Sequence, residues 1–344
     1  MLLSYHIWKL SQPPFCSSLF LLHATEIGSD LKYVILKAIS KAKTSISLSS
    51  YGFSDPELDR LLQAKAQENL SITLIYDHTL PPPSILGENV SFIEDKKSGL
   101  MHRKIVVIDG KTLFLGSTNA TESSYKLHYN HMIQMDDENL ALAVMDHKPY
   151  ETSDYRFFPL PGQKKEALLM LTNLIEKAEK RIYLAIFTLT HKSLIDKIIE
   201  AHHRGVEVQI VMDQQMARGV SIKATNEFTK HGLPINQQRG SSLLHHKCAL
   251  IDNHFVLGSA NWSKSGFERN REYLIVFENL GKTDLSQVEQ FFNSVFQGSK
   301  RLQYSTVNDT IKSWRIFGFP RRFLSSSSWT LWETSPSMFR YLKT

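Results

Sequence analysis

Cysteine, long apolar runs and a charge bias outside its last residues are what this chain has least of. Its 344 residues include two cysteines, Cys16 and Cys248, which cannot build a disulfide framework and lack the paired spacing of a zinc motif. No apolar stretch reaches the roughly 18 residues that a membrane helix needs. The nearest approach, FCSSLFLLHA over 15–24, follows one lysine (Lys9) and two prolines rather than a basic start, so a first β-strand is preferred to a signal-peptide core. The formal net charge of +6 falls entirely in residues 300–344, where eight Lys/Arg stand against Asp309 and Glu333. Residues 1–299 are electrically balanced, which weakens the nucleic-acid reading that overall basicity invites.

What the chain does have is a repeat. AKTSISL (42–48) returns as AEKRIYL (178–184), and SITLIYD (71–77) as EVQIVMD (207–213), both at an offset of 136. Each copy has one order. A helical pattern (LKYVILKAISKAK; EALLMLTNLIEKAEK) precedes a strand (SISLSSY; IYLAIFTL). A second helix (PELDRLLQAKAQ; SLIDKIIEAHHR) then leads to a second strand that ends in Asp77 or Asp213. Alternating helices and strands predict an α/β fold of duplicated halves, with mixed, largely parallel sheets flanked by helices. The boundaries expected are 1–17 for an N-terminal segment, 18–150 and 151–299 for the two halves, and 300–344 for a basic, aromatic, serine-containing tail.

The repeat also carries polar residues. MHRKIVVIDGKTLFLGSTN (101–119) matches LHHKCALIDNHFVLGSAN (244–261), now at an offset of 143. Both contain His-x-Lys-x4-Asp followed by Gly-Ser-x-Asn. The register selects His102, Lys104, Asp109, Ser117 and Asn119 in one copy, and His245, Lys247, Asp252, Ser259 and Asn261 in the other. His246 is out of register with His102 and is read as structural. Side chains alternate along a strand, so each His shares a face with its Lys. The apolar residues after Asp109–Gly110 predict a returning strand that brings Ser117 and Asn119 back toward His102. Two such clusters facing one another across a pseudo-twofold axis make an anion site. Lys, Ser and Asn suit non-bridging phosphate oxygens. One imidazole can attack phosphorus while the other protonates the leaving oxygen. No cofactor and no metal are called for by these residues.

Paired His-x-Lys-x4-Asp motifs, each followed by Gly-Ser-x-Asn, resemble the hallmark of the phospholipase D superfamily over roughly 18–298. The resemblance implies double displacement through a phosphohistidine, with His102 as nucleophile and His245 as acid by analogy with single-chain relatives. It also implies that Asp109 and Asp252 mainly support local structure, and that Glu272, in NREYLIVFE, hydrogen-bonds one of the imidazoles. The matching stretch of the first half, HYNHMIQM, has Asn130 there instead. A carboxylate makes its imidazole more basic, whereas an amide only orients it. Spacing does not say which imidazole Glu272 touches.

Other residues carry bland readings. Cys248 faces away from Lys247 and is expected to pack. His128, His131 and His202–His203 lack metal-ligand company in the sequence. Asp77 and Asp213 serve equally well as caps, turns or substrate contacts. The stretch 81–92 and the longer loop before His245 are read as substrate loops without a legible code. The tail, which mixes Arg with Trp and Phe, is either an interfacial membrane contact or a segment without a role; liposome co-sedimentation with and without 300–344 separates the two. Three enzymatic readings follow: a phospholipase D-type hydrolase of phospholipids, a phosphatidyltransferase resembling cardiolipin synthase, and a metal-independent nuclease, which the balanced core disfavours. A catalytically dead binding protein ranks last because both motifs are intact. One chain completes the site, so no oligomer is required. The compartment stays open, whether soluble, peripheral or secreted, with no transmembrane span expected.

Overall fold

A computed structural model describes residues 18–302. Cys16, the start of the expected strand over 15–24 and nearly all of the 300–344 tail lie outside the described residues. Two mixed sheets repeat one plan. In the first, Leu21–Ala24, His131–Asp136, Thr112–Gly116, Ile105–Ile108, Ser45–Ser49, Ser71–Asp77 and Val90–Asp95 lie side by side in that order. In the second, Tyr155–Leu160, Glu272–Phe277, His254–Gly258, Lys247–Ile251, Arg181–Ile186, Glu207–Met212 and Ile235–Gln238 take the corresponding places. The strands joined by helices pair in parallel, Ser45–Ser49 with Ser71–Asp77 and Arg181–Ile186 with Glu207–Met212. The motif hairpins, Ile105–Ile108 with Thr112–Gly116 and Lys247–Ile251 with His254–Gly258, are antiparallel.

Local chemistry explains the elements. Helix Leu31–Ser40 is capped by Asp30, whose side chain accepts from the Tyr33 N–H, and buries Leu31, Ile35 and Ile39. Helix Pro56–Gln67 has Pro at its first turn and Asp55 as cap. The repeat's second copy places Lys164–Lys177 and Lys192–His203 in the same roles. The loop expected over 81–92 is shorter than the sequence reading had it, because Val90–Asp95 adds a parallel edge strand to Ser71–Asp77. Its outward-facing Phe92 and Ile93 are exposed, and that breaks the alternation by which a strand is usually read.

The motif strands IVVI and CALI are apolar on both faces because both faces are covered. Ile105 and Val107 meet Cys248, Leu250, Phe255, Leu257 and Ile275 in one core that both halves share, joined by Phe291 and Phe292 from helix Lys282–Gln297. Val106 and Ile108 face the other way, into the first half's own core with Ile35, Leu58 and Leu62. The sheets therefore pack face to face at a seam, and the motif residues sit at one end of it. Leu257 is fully buried in the shared core. Leu257→Ala should cost about 2–5 kcal/mol of unfolding free energy and leave one cooperative transition. Two separated transitions in a calorimetric scan would show that the seam does not couple the halves.

Candidate active site

Each motif histidine stands two or three residues ahead of its strand, His102 before Ile105–Ile108 and His245 before Lys247–Ile251, and each lead-in is pinned by the opposite half. The His102 N–H donates to Arg271 O at 3.0 Å, and the His245 N–H to Tyr129 O at 2.9 Å. The residue before each histidine is held by the repeat's second aspartate. The Met101 N–H donates to Asp77 at 2.7 Å and the Leu244 N–H to Asp213 at 3.1 Å. These carboxylates also accept from Thr79, and from Gln215 and Met216. The open choice for Asp77 and Asp213 thus resolves toward turn and cap roles that also aim the motif. Their identical positions at the two strand ends were the signal for this in the sequence.

His102, Lys104, His245 and Lys247 are all buried. Each lysine donates to the carbonyl of its own histidine, Lys104 to His102 O and Lys247 to His245 O, the latter at 2.7 Å. The imidazoles take their partners from the opposite half. His102 Nδ1 lies 2.7 Å from Glu272 Oε1, so Nδ1 carries the hydrogen and Nε2 is left with the lone pair. His245 Nδ1 lies 3.0 Å from Ser117 O and 3.1 Å from Asn130 Oδ1, both neutral acceptors. Glu272 therefore serves the first half's imidazole and Asn130 the second's. Tyr51 and Phe187 stand edge-on to His102 and His245.

Ser117 and Ser259 are fully buried and committed to the strand beside them, accepting the N–H of His131 and of Tyr273, each at 3.1 Å. Ser117 Oγ also donates to Asn130 Oδ1 at 2.8 Å and so fixes the amide that meets His245. Ser117 was expected to return toward His102; through its carbonyl and Asn130 it serves His245 instead, because the imidazole partners cross the seam. The glycine before each serine is required by the close approach of that strand: a Cβ on Gly116 or Gly258 would stand 2.1 Å from His131 O or 2.3 Å from Tyr273 O. Asn119 and Asn261 each keep a buried Oδ1 with no partner among the described residues. Asp109 and Asp252 are remote from this cluster. Each adopts positive φ at the hairpin turn and binds the backbone leading into the neighbouring strand, at Lys43, Thr44 and Ser45 or at Glu179, Lys180 and Arg181.

Burial sets the protonation of the cluster. It lowers the pKa of His102, with Glu272 opposing and Lys104 and Lys247 adding to the drop. Burial, then Lys247, Lys104 and His102, hold His245 well below the ordinary imidazole value. Burial, partly opposed by Glu272, brings Lys104 down to about 7. Burial and the Lys104 charge hold Lys247 well below the usual lysine range. Four buried basic side chains whose cationic forms lack a counter-charge beyond one buried carboxylate suit the entry of an anion, which would favour those forms.

Sequence reasoning passed over three further features. The His128 ring lies 5.9 Å from that of His245. Arg271 reaches across to Asp95 at 2.7 Å and to the carbonyls of Lys97, Ser98 and Gly99, which pins the loop before His102. His131, read as lacking metal-ligand company, has His246 and Cys248 beside it. Only the fold brings those three together.

A family model described as "Cardiolipin synthase, PLD-like domain" matches residues 35–147 and 171–296, one match in each half. The chain belongs to the phospholipase D superfamily. It is 25% identical over 315 residues to cardiolipin synthase 1 of Staphylococcus aureus (strain COL), covering 74% of this chain and 64% of the relative. It is 28% identical over 116 residues to the mitochondrial cardiolipin hydrolase of Chlamydomonas reinhardtii, covering 33% of this chain and 51% of the relative. The phospholipase D-like chain thus spans about half to two thirds of the length of these curated relatives. Its fold is that of phosphatidylserine synthase from Haemophilus influenzae Rd KW20, with a TM-score of 0.70 over 91% of this chain and 97% of that one at 14% identity. No helix among the described residues is long and apolar enough to cross a membrane.

Burial raises the Asp109 pKa, but the N–H groups of Thr44, Ser45 and Lys43 outweigh it and leave the carboxyl below its ordinary value. Its contribution to stability is therefore present above an unfolded pKa of about 3.9 and is lost as pH falls through the depressed folded value. Asp109→Asn should lower the melting temperature at pH 7, and its gap from the unmodified protein should close under acid. A gap that does not depend on pH would rule out the carboxylate as the cause.

Proposed function

We propose that this phospholipase D-like chain is a phosphodiesterase that releases the headgroup of a phospholipid through a phosphohistidine, with no metal in the reaction. The observation that carries this reading is the unequal partnering of the two imidazoles. A carboxylate behind His102 stabilises the positive charge that its ring acquires on bonding phosphorus. Neutral acceptors behind His245 leave its imidazolium the stronger acid. His102 Nε2 attacks phosphorus, and the bond from phosphorus to the headgroup oxygen breaks. His245 gives its proton to that oxygen, the headgroup leaves as an alcohol, and phosphatidyl remains on His102. Water then gives a proton to His245 and attacks phosphorus, the P–N bond breaks, and phosphatidate departs with both imidazoles restored. Lys104, Lys247, Asn119 and Asn261 hold the non-bridging oxygens. Ser117, Ser259, Asp109, Asp252 and Glu272 support the groups that do so. The bound phosphodiester, being anionic, favours the protonated lysines and a protonated His245 that the empty site disfavours.

A second reading is phosphatidyl transfer, in which an alcohol replaces water in the second step. It is favoured by the likeness to a cardiolipin synthase that runs through both halves. The substrate class is tested by incubating the purified chain in EDTA with mixed phospholipid vesicles and, separately, with plasmid DNA. Headgroup release with intact plasmid is expected. Plasmid cleavage without headgroup release would overturn the lipid assignment, and loss of all activity in EDTA would count against metal-free chemistry. Adding glycerol or phosphatidylglycerol separates the readings by product, phosphatidate against a phosphatidyl alcohol. His245→Asn should cost about 10²–10⁴ in rate. Lys104, at about 7, and the acid His245, which burial holds well below the ordinary imidazole value, must both be protonated in the free chain, so kcat/KM should already be falling by pH 7 and fall more steeply above it. Its acid limb should lie below the ordinary imidazole range, because His102 attacks in its neutral form. Lys104→Arg, cationic throughout, should take one titrating group out of the alkaline fall and make it shallower; an unchanged slope would remove Lys104 from that role.

A further inference from the structure

Behind the phosphate site lies a second polar cluster that the chemistry above does not use. His246 and Cys248 alternate with His245 and Lys247, so they point to the opposite face of the strand, into the seam between the halves. His131 comes to the same place from the first half, and all three are fully buried. His131 Nδ1 and His246 Nδ1 are 2.9 Å apart. The ligand atoms of His131, His246 and Cys248 all lie within 4.8 Å of one another. Glu26 bonds His246 Nε2 at 2.6 Å from the far side. The Phe291 ring covers both imidazoles.

This cluster is not imposed by the fold. The strand ladders align His131 with Tyr273, and the motif offset aligns His246 with Arg103 and Cys248 with Ile105. In the other copy the Tyr273 hydroxyl donates to Lys104 O and Gly116 O, Ile105 stands where Cys248 does, and Arg103 where His246 does. Nor does the cluster satisfy itself. His131 Nε2 and Glu26 Oε2 are buried with no partner among the described residues, and the Cys248 thiol has only a weak contact to Ala185 O at 3.9 Å. Buried polar groups normally find partners, and the Cys248 thiol, fully buried beside the two facing Nδ1 atoms with only that weak contact, is the donor that the protein alone leaves unsatisfied.

We propose that His131, His246 and Cys248 bind one zinc ion at the seam, with Glu26 as the carboxylate that orients His246. Two nitrogens and a sulfur form a donor set suited to zinc, and a ligating histidine commonly gives its other N–H to a carboxylate, as His246 does to Glu26. Two nitrogens on one tetrahedral zinc stand about 3.3–3.4 Å apart, so the facing imidazoles open by about half an ångström to admit the ion. Both coordinate as neutral rings and Cys248 as thiolate, which releases one proton per ion. Burial keeps His131 neutral and the free thiol protonated, so that proton leaves only when the metal enters. A water completes the tetrahedron. The ion joins strands of both halves directly beneath the phosphate site. No step of the phosphoryl transfer runs through it, and an ion enclosed in this core exchanges too slowly for brief EDTA exposure during an assay to test it.

The full chain, loaded with zinc and freed of excess by gel filtration, should hold about one zinc per chain by mass spectrometry and melt at a higher temperature than the metal-free protein, whereas magnesium has no effect. Cobalt loading should give a sulfur-to-cobalt charge-transfer band that Cys248→Ser removes and Cys16→Ser leaves intact. His102→Asn should retain the metal, which separates this site from the phosphate site. Clearly substoichiometric zinc, a cobalt spectrum without the sulfur band, or a band lost in Cys16→Ser would overturn the proposal. Should Cys248→Ser not fold, X-ray absorption of the zinc-loaded unmodified protein decides: a shell of one sulfur and three nitrogen or oxygen atoms supports the site, and a shell without sulfur overturns it.

Discussion

The hydrogen bond from His102 to Glu272 is the contact on which the rest of the site depends. It crosses the seam, it places the one carboxylate found among two imidazoles and two lysines, and it fixes which ring nitrogen of His102 faces outward. Glu272 is fully buried at the start of a central strand, so it cannot turn to solvent. Burying an unpaired charge is costly, and removing one partner of a buried pair is worse than replacing both. The bond therefore constrains the halves to one another as much as it tunes the imidazole.

Around that bond the duplication is close to symmetric in scaffold and unequal in chemistry. Asp77 and Asp213 hold the two lead-ins alike, Asp109 and Asp252 hold the two hairpins alike, and each lysine caps the carbonyl of its own histidine. The departures are local: Glu272 against Asn130, and Tyr273 against His131. The first makes the two histidines different groups, one with a charged partner and one with neutral partners. The second clears the place that a tyrosine hydroxyl fills in the other half and lets the His131, His246 and Cys248 cluster form. Duplication supplies the frame, and single substitutions within it make the two copies chemically unequal.

How much of this was legible in the sequence follows from what spacing can report. The duplicated α/β halves and the hairpins after Asp109 and Asp252 were legible, because they depend on contacts within one copy of the repeat; comparison of the copies put His245, and not His246, in register with His102. Partners across the seam were not. Nothing in NREYLIVFE states that Glu272 meets His102, nor does GSTN state that the Ser117 carbonyl meets His245, because the two halves approach by packing of their apolar faces and not by any local pattern. The His131 cluster was hidden for the same reason, its members being 115 residues apart in the chain. The edge strand Val90–Asp95 was missed because its exposed Phe92 and Ile93 obscure the period.

The central claim is that two equivalent motifs perform two different steps, with phosphorus carried by His102. It is tested most directly with an aryl phosphodiester, whose leaving group needs no protonation, in a single-turnover quench of His245→Asn. Without His245 to activate water, the account predicts a burst of about one phenolate per chain and a phosphoryl group mapped by mass spectrometry to His102. A burst that survives in His102→Asn, or a phosphoryl group found on His245 in the unmodified protein, would contradict it.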